Sequence, residues 1–299
     1  MITVKLWGGM CNQMFQYAFG YALAKKHNEK LVFDVDFYAN QPGHVGKRGV
    51  MGKGQFPALK DMEIVKRSIL IKLIENKYFL HLVRYRKGLR LRLPWLHVVV
   101  EKLHKHYEPV PYIQGVNNYY DGYWQTDAYF SEYADEIRCI FTPNHEVRDK
   151  VRSWRESIDS KCCVAVHVRR GDYLLKVNQG KINTTDDNAF YLKAFKLAEE
   201  KLDNPLFCFF SDDIEWCRET YSTLLPNSIY VENKCKGAAM LDLFSIAACD
   251  HGIMSPSTFS YWGNWLRDPE KKGMVIYPEG DYYEDFITNK EWIEIKENE

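Results

Sequence analysis

Short apolar runs that stop abruptly at glycine or at clustered polar residues, each followed by helix-favouring sequence, limit the architecture of this chain more than any other feature. Ile2-Thr3-Val4-Lys5-Leu6-Trp7 breaks at Gly8-Gly9, and the stretch from Gln13 to Lys26 then carries apolar residues at Met14, Phe15, Ala18, Tyr21 and Ala22. Leu31-Val32-Phe33-Asp34-Val35-Asp36 follows as a second strand, which makes the opening a βαβ unit. Tyr119 to Trp124 reads as another strand, with an aromatic helix around Tyr129 to Ile137. The second half repeats the alternation. Strand 162–168 precedes a helix near 188–202, and Leu206-Phe207-Cys208-Phe209-Phe210 precedes a helix to about Leu225. Ser228 to Glu232 is a strand before a helix near 238–249, Ser255 to Ser260 caps a helix through Leu266, and Met274 to Tyr277 is a last strand. Strand and helix in alternation imply parallel sheets with helices on their faces. Two Rossmann-like α/β domains facing a cleft are expected, with the boundary near Thr142-Pro143-Asn144, giving domains 1–145 and 146–299.

Bulk properties narrow the partner. The 299 residues carry 40 Lys/Arg and 40 Asp/Glu, so a zero net charge gives no reason to expect nucleic acid. That balance hides a basic segment, with twelve Lys/Arg against four Asp/Glu between Lys60 and Lys105. Residues 60–105 are expected to be a helical insertion interrupted at Pro94. Its alternating Leu and Arg fit either a solvated basic face or one that lies on an anionic membrane or receives a lipid-linked acceptor. None of the eight cysteines forms C-x-x-C, and they read as reduced, mostly buried thiols of a cytosolic protein. No signal peptide and no membrane span is evident, so peripheral contact at the inner membrane face is the most that is expected.

Three loops at strand ends carry the chemistry. His167-Val168-Arg169-Arg170-Gly171-Asp172-Tyr173 supplies an imidazole, two guanidiniums and a carboxylate where an open α/β sheet places its ligand. Guanidiniums match phosphate oxygens and stay protonated, so an anionic ligand, a phosphate or diphosphate, is inferred. Asp212 and Asp213 suit ribose hydroxyls and the donors of guanine, or cap the helix that follows. Ser257, Thr258 and Ser260 offer hydroxyls and free N–H groups at a helix start, a ready anion site. Together the three loops fit a nucleoside diphosphate. Asp34-Val35-Asp36 imitates a D-x-D motif but reads as a strand end.

Four blocks in order make the chain resemble glycosyltransferase family 11, the α-1,2-fucosyltransferases, in its bacterial form. Gly8 to Ala18 is similar to GGLGNQLFQYA, His167 to Tyr173 to HxRRGDY, and Ser255 to Leu266 to NSTFSWWGAWL; Phe210 to Trp216 also matches. Cys11 stands where glycine is common and Pro256 where asparagine is usual. The resemblance implies a GT-B-type fold, with an acceptor side in 1–145 and a donor domain in 146–299. It implies a GDP-fucose donor, a galactose-terminated glycan acceptor, inversion at the anomeric carbon and no metal or other cofactor. Arg169 would then stabilise the departing GDP, with Arg170, Asp212, Asp213, Ser257, Thr258 and Ser260 on the donor. His167 would orient the nucleotide or the arginines. Asp172 is the candidate base, or fixes an arginine. Gly8, Gly9 and Asn12 would approach donor or acceptor, Asn12 having the alternative of a helix cap.

Overall fold

The computed structural model describes residues 1–39, 49–66, 71, 89–102, 107–158, 162–171, 188–235, 237–280 and 289–296. The chain divides into two compact units between Thr142 and Pro143.

The first unit opens with β1 (Ile2–Lys5), α1 (Met10–His27), β2 (Leu31–Asp34) and the short α2 (Asp36–Ala39). It continues through β3 (Ile64–Val65), β4 (Leu89–Arg92), β5 (Leu96–Val100), β6 (Asn117–Asp121) and α3 (Ala134–Ile140). Its six strands lie in the order β3-β2-β1-β6-β5-β4. All neighbours are parallel except β4, which runs antiparallel to β5. Helix α1 lies tight on the sheet because Gly20 has no side chain; a Cβ there would stand 2.8 Å from Val4 Cγ2.

The helical expectation for residues 60–105 is corrected at three places where the segment is described. Within the described part of that segment, Ile64–Val65, Leu89–Arg92 and Leu96–Val100 are strands. Lysine and arginine favour helices on propensity, but the Leu-Arg alternation has a period of two, which is the strand period. Leu89 and Leu91 pack with Leu96, Val98 and Val100, while Arg90 and Arg92 face outward. The remainder of the basic segment, 67–70, 72–88 and 103–106, lies outside the described residues.

The second unit comprises α4 (His145–Glu156), β7 (Cys163–Val168), α5 (Ala189–Lys201), β8 (Leu206–Ser211), α6 (Ile214–Tyr221) and β9 (Ser228–Tyr230). It ends with α7 (Ala238–Ala248), β10 (His251–Ile253), α8 (Thr258–Trp265), β11 (Val275–Pro278) and β12 (Ile293–Ile295). The strand order is β12-β11-β10-β7-β8-β9, parallel throughout. β7 is buried along its whole length. Val164, Val166 and Val168 pack under Phe190, Ala194 and Phe195 of α5, whereas Cys163 and Ala165 face Ile246 and Cys249 on the other side. Burial on both faces explains why this strand reads as an apolar run up to His167. No helix among the described residues is long and apolar enough to cross a membrane, and no disulfide links the cysteines.

Candidate functional site

β7 lies between β10 and β8, so the three loops singled out in the sequence leave neighbouring strands at the same end of the second unit's sheet. Asp212 organises the first of them. Its Oδ1 accepts the Arg170 N–H at 2.8 Å, and its Oδ2 accepts the Gly171 N–H at 3.0 Å. The Arg169 guanidinium reaches the same Oδ2 at 2.7 Å. Gly171 permits this closure, since a Cβ would sit 2.5 Å from Asp212 Oδ2.

The two arginines have different surroundings. Arg170 is buried, with Nε 3.1 Å from Asp213 Oδ2 and its guanidinium 3.6 Å from the centroid of Trp216. Stacked and paired in this way it is a fixed part of the loop, and the desolvated cation–π contact is worth about 2 kcal/mol. Arg169 keeps 34% of its side chain exposed, so it is the guanidinium that a ligand can meet. Asp213 also caps α6 by accepting the Trp216 N–H, and its own N–H donates to Ser211 Oγ. A carboxylate has about four lone-pair sites. The sequence puts Asp212 and Asp213 on the nucleotide; in the structure their oxygens first hold Arg169, Arg170 and the loop backbone.

His167 sits at the end of a buried relay. Its Nδ1 is 2.8 Å from Ser255 Oγ, and the Ser255 N–H donates to Ser260 Oγ. The Ser260 carbonyl accepts from Asn264 Nδ2 at 2.9 Å, and Asn264 Oδ1 accepts from Arg267 Nη2 at 2.7 Å. Burial, followed by the charge of Arg169, pushes the His167 pKa down to about 3. The ring is therefore neutral near pH 7 and shapes the strand end through hydrogen bonds. Ser257 caps α8 by accepting the Phe259 N–H, Thr258 is half-buried, and Ser260 is fully enclosed in the relay. Ser255, Asn264, Arg267 and Trp216 are the supporting residues that the sequence reading did not single out. Asp172, the candidate base, lies outside the described residues.

A pH prediction follows from His167. Its unfolded pKa is about 6.5. Between that value and about 3 the unfolded chain takes up a proton that the folded chain refuses. Stability contributed by this group is therefore unchanged above pH 6.5 and falls as pH drops through the window, by up to about 1.4 kcal/mol per pH unit. Urea unfolding of the His167→Asn protein is expected to lose that part of the pH dependence. Identical pH slopes for the two proteins would count against a buried, neutral His167.

The remaining candidates lie in the first unit. Gly8 has φ +85°, and its carbonyl accepts from the Tyr38 hydroxyl at 3.0 Å. Gly9 occupies the cap position of α1 and offers no side chain. Asn12 is consequently not the cap. It stands inside the helix beside Gly8, and its Oδ1 accepts from Gln125 Nε2 at 3.0 Å. Asp34 ends β2 and accepts from the Asp36 N–H and the Tyr119 hydroxyl, in keeping with a strand end.

Among the described residues no group of three or more His, Cys, Asp or Glu is gathered to hold a metal ion. The sequence profile of Glycosyl transferase family 11 matches residues 58–296. The chain belongs to that family. The matched range holds the arginine loop, the Asp212-Asp213 turn and the α8 start, and begins after the Gly8 loop. An α-1,2-colitosyltransferase of Escherichia coli is 29% identical over 286 residues, covering 93% of this chain and 91% of the relative. A galactoside α-(1,2)-fucosyltransferase 2 of Oryctolagus cuniculus is 23% identical over 290 residues, covering 94% and 71%. Among solved structures, the NodZ α-1,6-fucosyltransferase soaked with GDP-fucose aligns with TM-score 0.55 at 14% identity, over 89% of this chain and 92% of that one. The fold of this family 11 member is thus of the GT-B type, built from two parallel-sheet α/β units.

Proposed function

We propose that the protein transfers L-fucose from GDP-β-L-fucose to the 2-hydroxyl of a galactoside, with inversion and without a metal. Arg169 carries the reading. It is a half-exposed guanidinium at the carboxyl end of a buried parallel strand, held in place by Asp212. As the bond from C1 of the sugar to the β-phosphate oxygen breaks, negative charge grows on that oxygen, and a donor oriented beforehand stabilises it. The acceptor O2 attacks C1 from the opposite face, which turns the β-linked donor into an α-linked product. Its proton passes to a base, for which Asp172 remains the candidate. Membership of the glycosyltransferase family and the crystallisation of a similarly folded protein with GDP-fucose support a GDP-sugar donor.

A second reading has its own support in the relative that carries the name colitosyltransferase. Colitose is fucose without the 3-hydroxyl. A site built to hydrogen-bond that hydroxyl rejects the deoxy analogue by about 10⁴-fold or more. Competition between GDP-fucose and GDP-colitose for one β-galactoside, with the products weighed by mass spectrometry, decides between them. A deoxyhexose product is expected, and a dideoxyhexose product from the mixture would transfer the assignment to colitose.

A further inference from the structure

The first unit keeps three aromatic rings half-buried at the carboxyl edge of its sheet, where an open α/β sheet receives ligands. Trp7 follows β1, Phe37 follows β2 and Tyr123 follows β6, and these three strands are neighbours. Trp7 and Tyr123 stack with centroids 3.9 Å apart, and the Phe37 ring meets Trp7 edge-on at 6.3 Å. Other large aromatics of this unit, including Phe15, Phe33, Tyr120 and Trp124, are enclosed in its core.

The pair is held rigidly. Trp7 Nε1 donates to the Gly122 carbonyl at 3.2 Å, and the Trp7 N–H donates to Gln16 Oε1 at 3.0 Å. Gln16 Nε2 shares the Gly122 carbonyl at 3.1 Å. Glu101 accepts the Tyr123 N–H at 2.5 Å and also the N–H of Trp124, whose φ of 55° fixes the chain as it leaves the strand. Beside Gly8, on the same strand ends, stands the half-buried amide pair of Asn12 and Gln125.

From this placement we propose that Tyr123, backed by the stacked Trp7 ring, forms a platform whose outer face receives the apolar face of the acceptor's galactose, with Asn12 and Gln125 on its hydroxyls. The proposal rests on the galactoside-transferring reading above. The chemistry selects an uncharged pyranose. A ring face presents a negative quadrupole to C–H groups, and neutral amides donate to and accept from hydroxyls. Galactose in particular suits such a surface. Its axial 4-hydroxyl leaves the C3, C4 and C5 hydrogens together on the opposite face, whereas in glucose no face is so uniformly apolar. Because the rings are fixed before the sugar arrives, little ordering cost is incurred on binding.

Saturation-transfer NMR with methyl β-galactoside, on the wild-type protein without donor, tests the platform apart from catalysis. The strongest transfer is expected at H3, H4 and H5, and methyl β-glucoside should give a clearly weaker response. Tyr123→Ala should lose this pattern and raise the galactoside KM about tenfold, with a much smaller change in KM for the donor. Tyr123→Phe keeps the ring and should retain both. Transfer spread evenly over the sugar, or a Tyr123→Ala protein that keeps the wild-type pattern, would overturn the platform. If the pattern appears but no donor is turned over, the sugar site stands and the transferase reading fails.

Discussion

Arg169→Ala lowers the rate of sugar transfer about 10²–10³-fold and leaves the protein folded. The rate loss follows from the position of the charge. A donor aimed at the oxygen where charge develops typically contributes about 2.7–4 kcal/mol to catalysis. The guanidinium leaves the buried end of β7, so its base is fixed by the sheet while its tip remains 34% exposed. The fold survives because Asp212 keeps its two other partners, the N–H groups of Arg170 and Gly171. The lost ion pair itself, partly exposed, is worth no more than about 1 kcal/mol. Arg169→Lys keeps a charge without the planar fork and is expected to recover only part of the rate. Single-turnover rates at saturating donor, with melting temperatures measured alongside, check this. A rate within about fivefold of wild type in the folded alanine variant would remove Arg169 from the role given to it.

The second large effect is on stability. Gly252 lies in β10 opposite Ala165 of β7, and a Cβ there would stand 1.9 Å from Asn264 Oδ1 and 2.8 Å from Arg267 Nη2. Neither neighbour can move cheaply. Arg267 is almost wholly buried, and burial draws its pKa down to about 10. Its acceptors include Asn264 Oδ1 and the Asp250 carbonyl at 3.1 Å. Gly252→Ala pushes Asn264 off this buried cation. The lost hydrogen bond to a charged group costs about 1.5–3 kcal/mol, and the added carbon about 1–3 kcal/mol of overpacking. Urea unfolding should therefore show a loss of several kcal/mol, and sugar transfer should fall as well, because Asn264 leads through Ser260 and Ser255 to His167. A Gly252→Ala protein of unchanged stability would show that the crowding relaxes without loss.

The strands that hold the site are legible because parallel strands buried on both faces leave apolar runs, as in Cys162–Val166 and Leu206–Phe210. The chemistry at their ends is legible in type: cations on one loop, carboxylates on the next, a capped helix start on the third. What each group touches is not. That Asp212 and Asp213 also grip the arginines, and that Asp213 caps the helix that follows, appears only in the fold. The relay behind His167 is hidden because it joins residues far apart in sequence, although one sign is present. Asn264 stands where the NSTFSWWGAWL pattern has alanine, and only the bare Gly252 leaves room for its side chain. Lys5 in the first strand is buried against Asp121 at 3.0 Å, a pairing across 116 residues that no local pattern reveals. The basic segment misled through composition, since helix-favouring lysines and arginines outweighed the two-residue period of Leu89–Arg92.

The central claim is the bond the protein makes. Incubation with GDP-fucose and a β-galactoside in the presence of EDTA, followed by NMR of the purified product, reads donor, position and stereochemistry together. A single fucose on O2 of the galactose, α-linked and formed at the rate seen without chelator, is the expected result. A β-linked product, a linkage to any other hydroxyl, or turnover that returns only when Mg²⁺ or Mn²⁺ is restored would contradict it.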